Sequence, residues 1–154
     1  MRHIFALIAI LGISACATEP APPPAPAEPV YLSKSEFTQL WNAAYKSDPE
    51  SGAEIAFTQM LQRDDLSPSQ IGEVYYGRGT MRGIYVRDWP EAYPQCALGD
   101  FLKAKDYPIT EARLKQMKQS MKYQIDRRQY FPKAPETCNA YVVEAAKWLS
   151  ANGG

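Results

Sequence analysis

Beyond Val30, apolar and polar positions alternate with the spacing of a helix face. Phe37, Leu40, Trp41, Ala44 and Tyr45 fall at i, i+3, i+4, i+7 and i+8, and Ala53, Ala56, Phe57, Met60 and Leu61 repeat that spacing. This is the pattern of two amphipathic helices. Ser33 with Glu36 predicts a capping box before the first, and Asp48-Pro49-Glu50 predicts a cap and an N1 proline before the second. The short turn between them predicts an antiparallel hairpin. Ser67-Pro68-Ser69-Gln70 opens a third helix with Ile71, Val74, Tyr75, Arg78, Met81, Arg82 and Tyr85 on one face. Asp88 and Glu91 predict caps for a fourth, beginning near Pro90, with Ala97, Phe101 and Ala104 inward. Thr110 caps a fifth striped by Leu114, Met117, Met121 and Ile125. A sixth from about Glu136 turns Cys138, Tyr141, Val142, Ala145, Trp148 and Leu149 to one side. The expected fold is all-α, about six helices in three antiparallel hairpins, over residues 32–154.

The residues ahead of this domain follow a different pattern. Met1-Arg2-His3 precedes an apolar run from Ile4 to Ile13 that is too short to span a bilayer of roughly 30 Å. Ile13-Ser14-Ala15-Cys16 closes the run and resembles the lipobox of bacterial lipoproteins, with Ile13 where leucine is usual. The resemblance implies removal of residues 1–15, lipidation of Cys16 and anchoring in the cell envelope. Because Ala17 rather than an aspartate follows the cysteine, a Gram-negative host would sort the protein to the outer membrane, facing the periplasm. Residues 16–31 then form a Pro/Ala-rich tether of expected extended polyproline geometry, holding the domain up to roughly 40 Å from the membrane at about 3 Å per residue.

Helix three is unusual in holding Gly72, Gly77, Gly79 and Gly83, since each interior glycine costs up to about 1 kcal/mol relative to alanine. At 100° per residue Gly72, Gly79 and Gly83 share one stripe, against which a neighbouring helix with Ala97 and Ala104 can approach closely. Tyr75-Tyr76-Gly77-Arg78-Gly79 followed by Asp100-Phe101-Leu102-Lys103-Ala104 resembles a tetratricopeptide repeat or its Sel1-like variant. Ala97, Phe101 and Ala104 take the second-helix positions, with about six extra residues around Arg87 to Pro94. In the first hairpin Ala53, Phe57 and Met60 match the same spacing, whereas the third hairpin carries almost no signature.

Charge and composition narrow the function. The 17 basic and 17 acidic side chains balance, so there is no global attraction to nucleic acid. The distribution is polarised: residues 34–73 carry three basic and seven acidic side chains, and residues 103–133 carry nine basic and three acidic. The single histidine is His3, so the domain has no imidazole for a Ser-His-Asp or Cys-His system or for a histidine metal site. Cys96 and Cys138 remain as a pair that an oxidising compartment would let close, the alternative being two buried thiols. No cofactor motif or metal spacing is present.

The tetratricopeptide family binds partner peptides in a groove lined by the first helix of each hairpin, so the resemblance implies Tyr75, Tyr76, Arg78, Arg82 and Tyr85 as a partner-binding face. Read from the residues alone, Arg78 and Arg82 fit better a pair of stems laid over the core with heads in solvent or paired to an acid such as Asp100. Lys115, Lys118 and Lys122 line one side of helix five, where Glu111–Lys115 and Lys122–Asp126 pairs would make a solvated face. If that face binds anything, anionic lipid headgroups or peptidoglycan carboxylates fit it. The expected function is a non-catalytic, membrane-anchored adaptor for an envelope protein or peptide, in a pilotin-like or scaffold role. The competing class is an envelope enzyme, such as a wall hydrolase using one carboxylate, for which Asp64-Asp65 and Glu50 with Glu54 are the available acids. Cys16→Ala should leave an uncleaved precursor that no longer carries acyl chains; mass spectrometry finding a processed, unmodified N-terminus on the unsubstituted protein would contradict the lipobox reading.

Overall fold

The computed structural model describes residues 28–47, 52–84 and 93–153. Cys16, the segment before Glu28, the Asp48–Glu50 cap, Tyr85, Asp88 and Glu91 lie outside the described residues. Six α-helices follow in order: α1 (Lys34–Lys46), α2 (Gly52–Met60), α3 (Pro68–Ile84), α4 (Pro94–Ala104), α5 (Glu111–Arg127) and α6 (Glu136–Ala151), with a 3-10 turn at Arg128–Tyr130 between the last two. No strand occurs among the described residues. Successive helices pack on one another as hairpins, so the chain is an all-α helical-hairpin protein.

The caps form where local chemistry places them. The Ser33 side chain accepts from the Glu36 N–H while the Glu36 carboxylate accepts from the Ser33 N–H at 3.0 Å and its hydroxyl at 2.6 Å, which holds the Glu36 pKa below its ordinary value. Ser67 and Gln70 repeat the arrangement ahead of α3, with Pro68 at its first position. Thr110 caps α5 by accepting from the Arg113 N–H. Helix α4 differs from the expectation. It begins at Pro94 rather than near Pro90, because Tyr93 is extended at ψ 146° and Pro94 takes the first helical position, where its missing N–H costs nothing.

Two apolar clusters flank α3. Ala44, Ala53, Phe57, Met60 and Leu66 gather with Val74 and Met81 on one side. On the other, Leu98, Phe101, Leu102, Met117, Met121, Ala145 and Leu149 form a second core, against which Tyr75 and Tyr76 pack. Helix α4 is buried along nearly its whole length, and the Cys96–Cys138 disulfide ties it to α6. That bond spans 42 residues of sequence, a loop whose closure removes up to about 4 kcal/mol of unfolded-state entropy.

The glycines of α3 permit these contacts. A Cβ on Gly79 would stand 3.1 Å from the Ala97 carbonyl oxygen and 3.0 Å from Phe101, and one on Gly72 would stand 2.9 Å from Tyr107 Cβ. Gly83, assigned by its projection to the same stripe, instead faces the Gln124 side chain of α5. On another face, a Cβ on Gly77 would lie 2.7 Å from two ring carbons of the fully buried Phe57. Gly77→Ala therefore sets overpacking of about 1–3 kcal/mol against a propensity gain of about 1 kcal/mol. A net loss of stability is expected, lowering the midpoint of a thermal melt by several degrees; an increase would show that Phe57 yields freely.

Candidate functional site

The two faces of α3 have different surroundings. Arg78 lies against α4, where its Nε donates to both carboxylate oxygens of Asp100 at 3.1 and 3.2 Å, its Nη2 reaches Oδ1 at 2.7 Å, and its Nη1 donates to Thr58 Oγ1 at 3.2 Å. One turn on, Arg82 Nε donates to Glu54 Oε1 at 2.8 Å, Nη2 pairs with the same oxygen, and Nη1 stands 3.2 Å from Asp100 Oδ2. The four side chains come from α2, α3 and α4, with two positive and two negative charges. Asp100 is 4 % exposed and Arg78 and Arg82 are 15 % and 12 % exposed.

Arg78 and Arg82, expected from the family resemblance to meet a partner's carboxylate, thus hold the fold's own carboxylates, as the alternative reading with Asp100 has it. Tyr75 stacks on Tyr107 with ring centroids 5.8 Å apart and lies beneath the Arg78 guanidinium at 5.5 Å. Tyr76 packs on Phe101 at 5.8 Å. The two buried carboxylates among the described residues, Glu54 and Asp100, are both engaged by arginine. Asp65 is half-buried and bonded to Arg63, whose guanidinium holds the Asp65 pKa low.

The opposite face of α3 opens into a groove shared with α1 and with the start of α5. A cavity of about 370 Å³ runs over Lys34, Phe37, Ser67, Gln70, Glu73, Ile109 and Thr110. A second of about 140 Å³ is lined by Phe37, Thr38, Trp41, Glu73 and Arg113, so the two meet at Phe37 and Glu73. Trp41 is held in the wall by Tyr45, stacked at 5.1 Å, and by the edge of Phe57 at 5.7 Å. Its indole Nε1 is buried and has no hydrogen-bond partner, an arrangement that costs about 1–3 kcal/mol unless something accepts from it. At the far end Arg113 is bound to Glu73 at 2.7 Å and lies 4.2 Å over the Tyr76 ring. Burial works against the Arg113 charge, but the Glu73 carboxylate outweighs it and keeps the Arg113 pKa raised. Among the described residues of the face expected for a partner, Tyr76 alone borders this groove, through Arg113.

Phe37, Trp41, Gln70, Glu73 and Arg113 were not singled out from sequence as a site. The available signal was the indole N–H of Trp41 at a core-spaced position. The lysine face of α5 also differs from expectation. Lys115 and Lys122 are exposed, as a solvated face has them, but neither Glu111–Lys115 nor Lys122–Asp126 is among the ion pairs of the described residues, and Lys118 donates to the Asn152 carbonyl and lies 5.8 Å over Trp148. Among the described residues no group of three or more His, Cys, Asp or Glu side chains gathers to hold a metal, and no helix is long and apolar enough to cross a membrane.

No protein-family model, curated protein or solved structure matches the chain. The geometry makes separate demands on the two faces of α3. Arg82→Ala strands Glu54 and removes one contact of Asp100, and should cost about 3–5 kcal/mol. Glu73→Gln acts on a more accessible pair and should cost about 1 kcal/mol or less. Chemical denaturation of the two variants checks the contrast, and equal costs would contradict it.

Proposed function

We propose that this protein is a lipid-anchored envelope adaptor that takes an extended segment of another envelope protein into the groove between α1, α3 and α5. The observation that carries the reading is the groove itself, two cavities that share Phe37 and Glu73 and are walled by Trp41 and Ile109. Phe37, Trp41 and Ile109 supply apolar contact for the side chains of an extended peptide, and Gln70, Glu73 and Thr110 supply polar groups for its backbone. The lipobox-like Ile13-Ser14-Ala15-Cys16 supports the anchor. The tetratricopeptide-like spacing of Gly79, Ala97, Phe101 and Ala104 supports a fold that presents a groove of this kind. In this reading recognition is left to α1, the Gln70–Glu73 face of α3 and the start of α5, while Arg78 and Arg82 keep the hairpins in register.

Thr38 is exposed on α1 and lines the groove, so Thr38→Trp would fill the groove without entering the core. The two residues have similar helix propensities. Crosslinking pull-downs from envelopes with the unsubstituted and Thr38→Trp proteins test the proposal. Capture of the specific partner should fall at least about tenfold, a loss of about 1.4 kcal/mol or more, with little change in melting temperature. Equal capture by both proteins would overturn the groove assignment.

A further inference from the structure

The C-terminal end of α5 gathers aromatic rings and cations that neither the two cores nor the groove uses. Between Lys122 and Pro135 the chain carries four basic side chains, Lys122, Arg127, Arg128 and Lys133, against the single acid Asp126. Tyr123 and Tyr130 are 57 % and 71 % exposed, and Lys122, Arg128 and Lys133 are exposed with them. The backbone beneath is firmly held. Arg127 lies between the rings of Tyr123 and Phe131, 5.2 and 5.4 Å from their centroids, and donates to the Gly83 carbonyl. The buried Gln95 of α4 donates to the Phe131 carbonyl at 2.9 Å, which fastens the 3-10 turn Arg128–Tyr130 to the core. A backbone fixed in this way has little freedom left to lose on docking.

Rings that project this far suit a soft layer better than a shaped pocket. Tyrosine favours the headgroup level of a bilayer, where one end of the side chain meets an apolar phase and the other meets water. Lysine and arginine beside it can reach lipid phosphates while their stems lie along the apolar boundary. The charge of the whole domain agrees with this. The acid-rich stretch 34–73 runs through α1 and α2, packed on one side of α3, and the base-rich stretch 103–133 runs through α5 on the other. An anionic surface therefore turns the α5 side toward itself. The groove borders the start of α5, about 24 Å along the helix axis from Arg127, so lipid at the far end leaves the groove free.

We propose that Tyr123, Arg128, Tyr130 and Lys133, with Lys122 beside them, form a docking surface for the anionic headgroups of a phospholipid bilayer. The test uses the full chain with Gln129→p-acetylphenylalanine carrying an oxime-linked nitroxide, which leaves the cysteines untouched. The chain is reconstituted on vesicles of equal parts phosphatidylglycerol and phosphatidylcholine, and on vesicles of phosphatidylcholine alone. On the anionic vesicles the label should be immobilised and shielded from a water-soluble nickel chelate; on the neutral ones it should stay exposed. Lys122→Glu with Lys133→Glu should lower the ratio of docked to free label at least about tenfold, and Tyr123→Ser with Tyr130→Ser should lower it as well. Lys46→Glu, exposed on α1, should leave it unchanged. A label equally exposed on both vesicles would overturn the lipid surface, as would lysine changes without effect or an equal loss from Lys46→Glu. Shielding by polyglutamate in solution but not by vesicles would assign the patch to an acidic polypeptide and overturn it too. Sedimentation reports attachment of the chain to the vesicles separately, so failure of the patch and failure of the lipid anchor are told apart.

Discussion

The architecture depends on one buried set of charges. Arg78 and Arg82 extend from α3 and meet Asp100 of α4 and Glu54 of α2, so three helices converge on a neutral cluster from which water is largely excluded. Removing a carboxylate such as Asp100 from water costs several kcal/mol, and only close, well-aligned cations offset that cost. Any sliding of α3 against α4 that separates Arg78 and Arg82 from Asp100 leaves the acid buried and uncompensated. Apolar packing alone tolerates such shifts more readily. The charge cluster therefore selects the register in which Gly79 meets Ala97 and Gly72 meets the Tyr107 corner.

That register also decides what α3 presents on its other side. With its arginines turned inward, the helix exposes the row through Gln70 and Glu73 to the space between α1 and α5. Arg113 completes the row by clasping Glu73 above Tyr76. The charge cluster and the groove thus occupy different faces of a single helix.

Much of the fold is legible in the sequence because its determinants are local. The apolar spacing places the helices, Ser33, Ser67 and Thr110 mark three starts, and the close glycine contacts of α3 with α4 follow from residue projection and alanine positions. The orientation of the Tyr75 to Arg82 face was legible only as one of two readings, the arginines paired with Asp100 or turned to a partner. Tyrosine and arginine are each part apolar and part polar, so the same spacing suits a core or a binding surface. Whether an arginine is satisfied depends on acids far off in the chain: Asp100 is 22 residues from Arg78 and Glu54 is 28 from Arg82. The groove was hidden for the same reason, since its walls come from three helices and no single stretch carries its pattern. The start of α4 stands at Pro94, since Tyr93 is extended and Pro94 takes the first helical position.

A double-mutant cycle on Arg78→Met and Asp100→Leu tests the account most directly. Each single change should destabilise the protein by about 3–5 kcal/mol, since Arg78→Met leaves Asp100 only its 3.2 Å contact with Arg82 and Asp100→Leu leaves Arg78 with no carboxylate. The pair together should recover most of that loss, giving a coupling of several kcal/mol in denaturant unfolding. Losses that simply add, to within about 0.5 kcal/mol, would show that the two residues do not depend on each other and that the register of the hairpins is set elsewhere.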